Sequence, residues 1–146
     1  MASTACIAIL TVVFGATTLL ALESGEVVTL TTFDRSGRAY ESRVWLAREL
    51  DDGSPDGESL LIEAAEPEKA FYRRLVASPQ VRLDRGGMVK AYIAEPDASP
   101  AGHARIRRLL AVRYGWRDRW IGWFVDTSRS VAVRLRPVAS ARAATP

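Results

Sequence analysis

The segment VVTLTTFDRSGRAYESRVWLAREL, residues 27 to 50, carries the pattern that decides the fold of this chain. Its first part, Val27 to Phe33, is rich in β-branched residues and alternates as a strand does. Asp34-Arg35-Ser36-Gly37 has the residue types of a tight turn, and Tyr40 to Leu50 continues as a second strand. The segment therefore predicts a β-hairpin.

The chain beyond this hairpin has the pattern of short strands and helices joined by turns. Asp51 to Gly57 (DDGSPDG) predicts a loop. Further strands are predicted at Ser59 to Ala65, Val81 to Asp84, Met88 to Ala94 and Val131 to Leu135. Helices are predicted from Pro67 to Ser78, from Ser99 to about Tyr114, and from Trp116 to Phe124. Six short strands with two or three helices predict a mainly β (α+β) domain, built as a small closed or partly closed barrel.

An apolar segment precedes the hairpin. Met1 to Leu22 has no charged residue, and Ala5 to Leu22 is almost unbroken in its apolar character. About 20 such residues span the bilayer core as a helix. The basic residues Arg35 and Arg38 follow the segment and none precedes it, which places the C-terminal part in the cytoplasm. We therefore predict one uncleaved transmembrane helix over residues 1–22 in the cell membrane. A cleaved signal peptide and a buried core helix remain alternatives.

The length of the remaining chain suits one domain, predicted over residues 23–137, and a disordered tail is predicted at residues 138–146. The 20 basic and 17 acidic residues are interspersed in sign, so no one-faced basic stripe for nucleic acid is expected. A single cysteine excludes an internal disulfide, and a single histidine excludes a Cys/His metal cluster. His103 is predicted to be a solvated surface residue. A monomer or a homodimer is expected.

Blocks of sequence along the chain resemble one known family. VVTLTTFDRSGRAYESRVW, FYRRLVASPQVRLDRGG, AVRYGWRDRW and SVAVRLRP are similar in order and spacing to the split β-barrel flavin and deazaflavin reductases. Within this family the blocks resemble the small deazaflavin-dependent nitroreductases and quinone reductases. The resemblance covers Gly25 to Pro137 and implies a six-stranded split β-barrel. Phe33-Asp34, Arg43 and Arg74 depart from the family pattern.

This resemblance implies a flavin-type cofactor, either a deazaflavin coenzyme of the 8-hydroxy-5-deazaflavin type or FMN. Arg35-Ser36-Gly37-Arg38 suits an anionic cofactor tail, because arginine binds phosphate bidentately and Gly37 permits a tight turn. An ordinary hairpin turn is the competing interpretation. Arg43 and Trp45 share one face of the second strand, where Arg43 would be a second anion contact. Lys69 lies where relatives supply another cation. Solvated charges remain the alternative for Arg43 and Lys69.

The late aromatic residues are the candidate acceptor pocket. Trp116, Trp120 and Trp123 recur at helical spacing and follow Tyr114 closely. We predict that the three rings wall a substrate pocket and that Tyr114 is a catalytic residue whose hydroxyl donates to a quinone oxygen or nitro group. Aromatic residues at this spacing also occur in ordinary protein cores.

Two functions are consistent with these observations. The first is a membrane-tethered oxidoreductase that transfers a hydride or electrons from a reduced deazaflavin, or from FMN, to a quinone or nitro-type acceptor. The second is a non-catalytic barrel that binds a flavin-like or apolar ligand. The sequence has no nucleophile and base pair and no phosphate-binding loop of the NTPase kind, so hydrolase functions are not supported.

Overall fold

The computed structural model describes residues 12–16, 26–50 and 58–138 of the chain. The strands are β1 (Val27–Phe33), β2 (Ala39–Leu50), β3 (Glu58–Ala64), β4 (Gln80–Arg85), β5 (Met88–Asp97) and β6 (Val131–Pro137). The helices are α1 (Ala70–Ala77), α2 (Pro100–Tyr114) and α3 (Trp116–Ile121), and residues 12–16 are also helical. The predicted strands and helices of the domain are thus confirmed, with bounds that differ by a few residues.

The six strands form a closed antiparallel barrel in the order β1-β2-β3-β6-β5-β4, which confirms the predicted fold. The hairpin between β1 and β2 is paired along its whole length, from Val27 opposite Trp45 to Phe33 opposite Ala39. By contrast, β1 pairs with β4 only from Thr29 to Thr31. Beyond Thr31 the two strands separate, and this open part of the barrel wall is called the seam below.

Two apolar layers hold the barrel. The interior contains the inward residues of the strands, among them Leu30, Leu46, Ile62, Leu83 and Val133, each 0 to 1% exposed. A second cluster lies outside the barrel, where Ile106, Leu110 and Tyr114 of α2 pack on Ala47, Leu61 and Ala132. Strand side chains alternate between faces, so β2, β3 and β6 contribute to both layers. Burial of these side chains fixes α2 against one side of the barrel.

His103 on α2 is not the solvated residue predicted from sequence. Its side chain is half-buried, and its Nδ1 lies 3.0 Å from the carbonyl oxygen of Ser130 and 3.1 Å from the Ser130 hydroxyl. The prediction was wrong because the loop before β6 folds back onto the first turns of α2. His103 therefore joins that loop to the helix.

Three predictions fall on residues outside the described part. Residues 1–11 and 17–22 carry most of the predicted anchor, residues 51–57 the predicted loop, and residues 139–146 most of the predicted tail. Among the described residues, no helix has the length and apolar character needed to span a membrane.

Candidate functional site

A cavity of about 700 Å³ opens at the seam, and we call it the seam cavity. Its lining comes from the β1–β2 turn, the end of α1, the first residues of β4 and part of β5. Phe33, Ala91 and Val138 give it apolar surface, whereas Arg35 and Arg82 line it with cations. The cavity exists because Phe33 and Gln80 lie beyond the last residue pair between β1 and β4.

The two arginines differ in how they are held. Arg82 lies on β4 between the buried residues Val81 and Leu83, so its side chain points outward. Its guanidinium lies 5.4 Å from the centre of the Phe33 ring across the seam. Arg35 lies in the turn itself and is exposed. Both side chains can therefore reach an anionic group at the cavity mouth.

Asp34 organises the turn beside the cavity. Its Oδ1 accepts from the backbone N–H of Ser36 at 2.9 Å, from the Ser36 hydroxyl at 2.6 Å and from the backbone N–H of Arg38 at 3.0 Å. Its Oδ2 accepts from the Tyr40 hydroxyl at 3.1 Å. The Ser36 hydroxyl and these other donors hold the pKa of the Asp34 carboxyl below its usual value, against a smaller opposing effect of desolvation.

This arrangement changes which groups can bind an anion. The backbone N–H of Gly37 donates to the carbonyl of Asp34 at 3.0 Å, and Gly37 has a φ of 83°, as the turn requires. The amides of Ser36, Gly37 and Arg38 are thus already used within the turn. The anion-binding capacity of this region lies in the arginine side chains rather than in the turn amides.

Arg74 of α1 connects the helix to the hairpin. Its Nε donates to the Thr32 hydroxyl oxygen at 2.9 Å, and its guanidinium lies 4.3 Å from the centre of the Tyr40 ring. Thr32 is fully buried and in turn donates to the backbone carbonyl of Tyr40 at 3.3 Å. Arg74 therefore fixes α1 against the strands that carry the turn. The sequence marked Arg74 only as a departure from the family pattern.

A second, smaller cavity of about 220 Å³ lies between β2 and α3. Arg43 and Trp45 line it, as their shared face of β2 predicts, together with Arg107 and two acids. The Arg107 guanidinium donates to both oxygens of Glu63 at 3.1 Å and to Asp118 at 2.6 Å. Burial opposes the charge of Arg107, but these two carboxylates raise its pKa overall. Arg107, Glu63 and Asp118 therefore pair with one another inside this cavity.

The predicted cofactor-binding residues do not form one group. Arg35 and Gly37 line the seam cavity, whereas Arg43 and Trp45 line the smaller one. Ser36 and Arg38 belong to the same turn as Arg35 but are not among the described lining residues of either cavity. Lys69 precedes α1 and pairs with Glu66 at 2.6 Å at the protein surface.

Tyr114 and the late tryptophans also separate. Tyr114 is 4% exposed, stacks on Trp45 with 4.6 Å between ring centres, and donates its hydroxyl to the carbonyl of Leu46 at 2.9 Å. Burial raises the pKa of Tyr114, with smaller opposing effects of Arg113. A catalytic role for Tyr114 stays a prediction, but its hydroxyl is already committed to the backbone in this structure.

Trp116, Trp120 and Trp123 lie on and after α3, at the surface. Among the described residues, none of the three lines either cavity. Trp116 and Trp123 are exposed, and Trp120 lies half-buried between Trp123 and other aromatic rings. Their role as pocket walls stays a prediction.

Sequence reasoning missed Phe33, Arg82 and Tyr92 as lining residues. The alternation in β4 places Arg82 on the outer face of the barrel, which was a usable signal. No local signal indicated that this face lies beside the β1–β2 turn, because the pairing of β1 with β4 joins residues far apart in sequence.

Comparison with known proteins supports the fold. No family model matches the chain, and no curated protein matches it. Among solved structures, an F420 reductase is 20% identical with a TM-score of 0.52, covering 82% of this chain and 93% of that one. An FAD-binding protein of Mesorhizobium loti is 15% identical with a TM-score of 0.52, covering 83% and 87% of the two chains. The heme storage protein HutZ of Vibrio cholerae is 13% identical with a TM-score of 0.56, covering 82% and 87%.

These likenesses concern the fold. The chain is a six-stranded split barrel of the kind found in F420-dependent reductases and in flavin- and heme-binding proteins, as the sequence resemblance implied. One barrel architecture thus serves several cofactors, so function has to be argued from the site itself.

Proposed function

Because the chain has the barrel shared by deazaflavin reductases and flavin-binding proteins, we propose that its seam cavity binds a deazaflavin or FMN. The protein then acts as a reductase that transfers a hydride or electrons to a quinone or nitro-type acceptor. The observation that carries the proposal is the seam cavity of about 700 Å³, which has apolar walls and the side chains of Arg35 and Arg82 in its lining.

The cavity suits a flavin-type group in size and in chemistry. Its volume falls within the range of about 300 to 1,000 Å³ that is usual for ligand cavities. Phe33, Ala91 and Val138 offer apolar contact to a flat ring system, and Arg35 and Arg82 offer charge-assisted hydrogen bonds to an anionic tail. When bound, such a cofactor supplies the hydride or electrons. The protein supplies binding, orientation and exclusion of water.

The turn beside the cavity is well suited to this task because it is already ordered. Asp34 accepts hydrogen bonds from the amides of the turn and from the Tyr40 hydroxyl. Arg74 donates to Thr32 on the strand that leads into the turn. A ligand that binds between Arg35 and Arg82 therefore meets a site that needs little further ordering, which favours affinity.

We also propose that the chain is held on the cytoplasmic side of the cell membrane by residues 1–22. The apolar sequence of this segment, followed by arginines, supports the proposal. A quinone that is soluble in the bilayer would then be a nearby acceptor. Fractionation of a C-terminally tagged chain tests it: an intact, membrane-bound product is expected, and a shortened or exported product would contradict it.

Cofactor titration is the decisive experiment. Purified protein is titrated with FMN and with reduced deazaflavin and followed by absorbance and fluorescence. Arg35→Gln and Arg82→Gln should each weaken binding about tenfold, since a charge-assisted contact contributes about 1.5 kcal/mol or more. Arg73→Gln, an exposed arginine on α1 outside the described cavity lining, is the matched control. Equal affinities for all four proteins would reject the seam cavity as the cofactor site.

The alternative is a barrel that binds such a ligand without turnover. One observation favours this alternative. Among the described residues, Asp34 is the only carboxylate that lines the seam cavity, and both its oxygens already accept hydrogen bonds in the turn. The described lining therefore offers no free carboxylic acid that could protonate a reduced acceptor. Binding of reduced deazaflavin without oxidation on addition of a soluble quinone would identify this function, and steady oxidation would identify the reductase.

A further inference from the structure

The guanidinium of Arg82 and the ring of Phe33 meet across the seam. Arg82 pairs with Thr31, and Phe33 lies two residues farther along β1. Both side chains point out of the barrel, because buried residues alternate with them along their strands. The guanidinium lies over the Phe33 ring, 5.4 Å from its centre. We call this pair the seam contact.

The seam contact covers part of the wall of the seam cavity. Phe33 lines the cavity from β1 and Arg82 lines it from β4. The face of the Phe33 ring is an apolar surface on which a flat ligand ring can stack. The guanidinium of Arg82 occupies the face that it covers. A ligand ring that stacks on this face must therefore move the guanidinium away.

Arg82 is held on the ring by a weak interaction. Its side chain is exposed, and among the described residues its guanidinium forms no ion pair. A cation over an aromatic ring at an exposed site shifts an equilibrium by about two- to fivefold. A charge-assisted hydrogen bond to an anion is stronger than this contact. An anion can therefore draw Arg82 off the ring, whereas a neutral ring has to compete with it.

We propose that Arg82 makes the seam cavity select ligands that carry an anionic group beside a flat ring. The anionic group takes the guanidinium from Phe33, and the ligand ring then stacks in its place. A flat ring without an anion breaks the seam contact and gives Arg82 no new partner. This inference rests on the proposed cofactor site and names the class of ligand that the site accepts.

Arg35 provides the internal comparison. It lines the same cavity, but among the described residues it contacts no aromatic ring. Arg35 therefore binds the anionic group without covering any surface that the ligand ring needs. The two arginines should affect charged ligands in the same direction and neutral ligands differently.

The test titrates the full-length chain with FMN and with riboflavin, which have the same ring and sugar chain and differ in the phosphate. Arg82→Gln should weaken FMN binding and tighten riboflavin binding about two- to fivefold, since the seam contact no longer competes with the ring. Arg35→Gln should weaken FMN binding and leave riboflavin binding unchanged. Arg73→Gln, at an exposed position of α1 outside the described cavity lining, should change neither affinity.

A double-mutant cycle assigns the riboflavin effect to the seam contact. Phe33→Leu keeps an apolar side chain and removes the ring that holds the guanidinium. In the Phe33→Leu background, Arg82→Gln should no longer tighten riboflavin binding. The same gain with and without the Phe33 ring would show that Arg82 opposes riboflavin in another way, and would overturn the proposal.

Failure of this inference is distinguishable from failure of the proposed function. If Arg82→Gln weakens FMN binding but leaves riboflavin binding unchanged, Arg82 is an anion contact only, and the cofactor site still stands. Equal affinities of the wild type for FMN and riboflavin would also overturn the selection for an anionic group. A wild-type chain that binds neither flavin nor reduced deazaflavin would reject the cofactor site and the selection with it.

Discussion

The guanidinium of Arg74 lies 4.3 Å from the centre of the Tyr40 ring. This contact, with the hydrogen bond from Arg74 Nε to Thr32, joins α1 to the two strands of the first hairpin. The Tyr40 hydroxyl continues the connection by donating to Asp34 in the turn. Arg74 thus supports the turn that carries Arg35, although Arg74 is not among the described residues that line either cavity.

Arg74→Met should destabilise the fold by about 1–3 kcal/mol, because it removes a charged donor to buried Thr32 and a cation–π contact. Arg73→Met, at the exposed neighbouring position on the same helix, should change stability by less than about 0.5 kcal/mol. Urea unfolding with an unchanged slope measures both differences. Similar midpoints for the two variants would show that Arg74 does not support the hairpin.

Asp34→Ala should loosen the turn beside the seam cavity. The amides of Ser36 and Arg38 lose a charged acceptor, so their hydrogen exchange should accelerate about tenfold or more. The backbone N–H of Gly87, which donates to Asp84 at 2.8 Å in the β4–β5 turn, is an internal control in the same sample. If all three amides keep their rates, Asp34 is not what orders the turn.

Because of Glu26, the free energy of unfolding should decrease as the pH falls through the acid range. Burial raises the pKa of Glu26, but Arg48 and Arg85, each bonded to it at 2.7 Å, lower it below 4.5 overall. The carboxylate's contribution is therefore present above about pH 4.5 and is lost as the pH falls through the lowered folded value. Glu26→Gln should be less stable than the wild type at pH 7, and the gap should shrink below pH 4.5.

Unfolding free energies measured from pH 7 to pH 3 test the Glu26 prediction. The difference in stability between Glu26→Gln and the wild type at pH 7 should also become smaller in 1 M salt. The Debye length is about 3 Å at that salt concentration, so charges near the surface are screened. A gap that stays constant across the pH range would mean that the carboxylate charge contributes nothing to stability.

Tyr114→Phe should lower stability by about 0.5–1.5 kcal/mol and leave cofactor affinity unchanged, since the hydroxyl donates to the carbonyl of Leu46. Tyr72→Phe on α1 is the matched control, because the Tyr72 hydroxyl has no hydrogen-bond partner among the described residues. Thermal unfolding and quinone turnover are measured on both variants. A stable Tyr114→Phe protein with reduced turnover would restore the catalytic role predicted from sequence.

The sequence by itself determined the elements of the domain and its barrel. Alternation in Val27–Phe33 and the turn chemistry of residues 34 to 37 depend on neighbours along the chain, so the hairpin could be identified directly. Serine and proline at Ser99-Pro100 marked the start of α2 for the same reason, and Ser99 accepts from the backbone N–H of Gly102. The order of the sequence blocks then pointed to the split barrel.

Only the tertiary structure decided which of the candidate site residues lie close together. Arg35 and Arg43 lie on one hairpin, yet they line different cavities because the closed barrel turns their positions to different sides. Arg82 joins Arg35 only through the short pairing of β1 with β4. The Tyr114 hydroxyl is used by Leu46, a residue 68 positions away. Such contacts depend on strand order and packing between distant segments, and local patterns of spacing and residue type do not encode them.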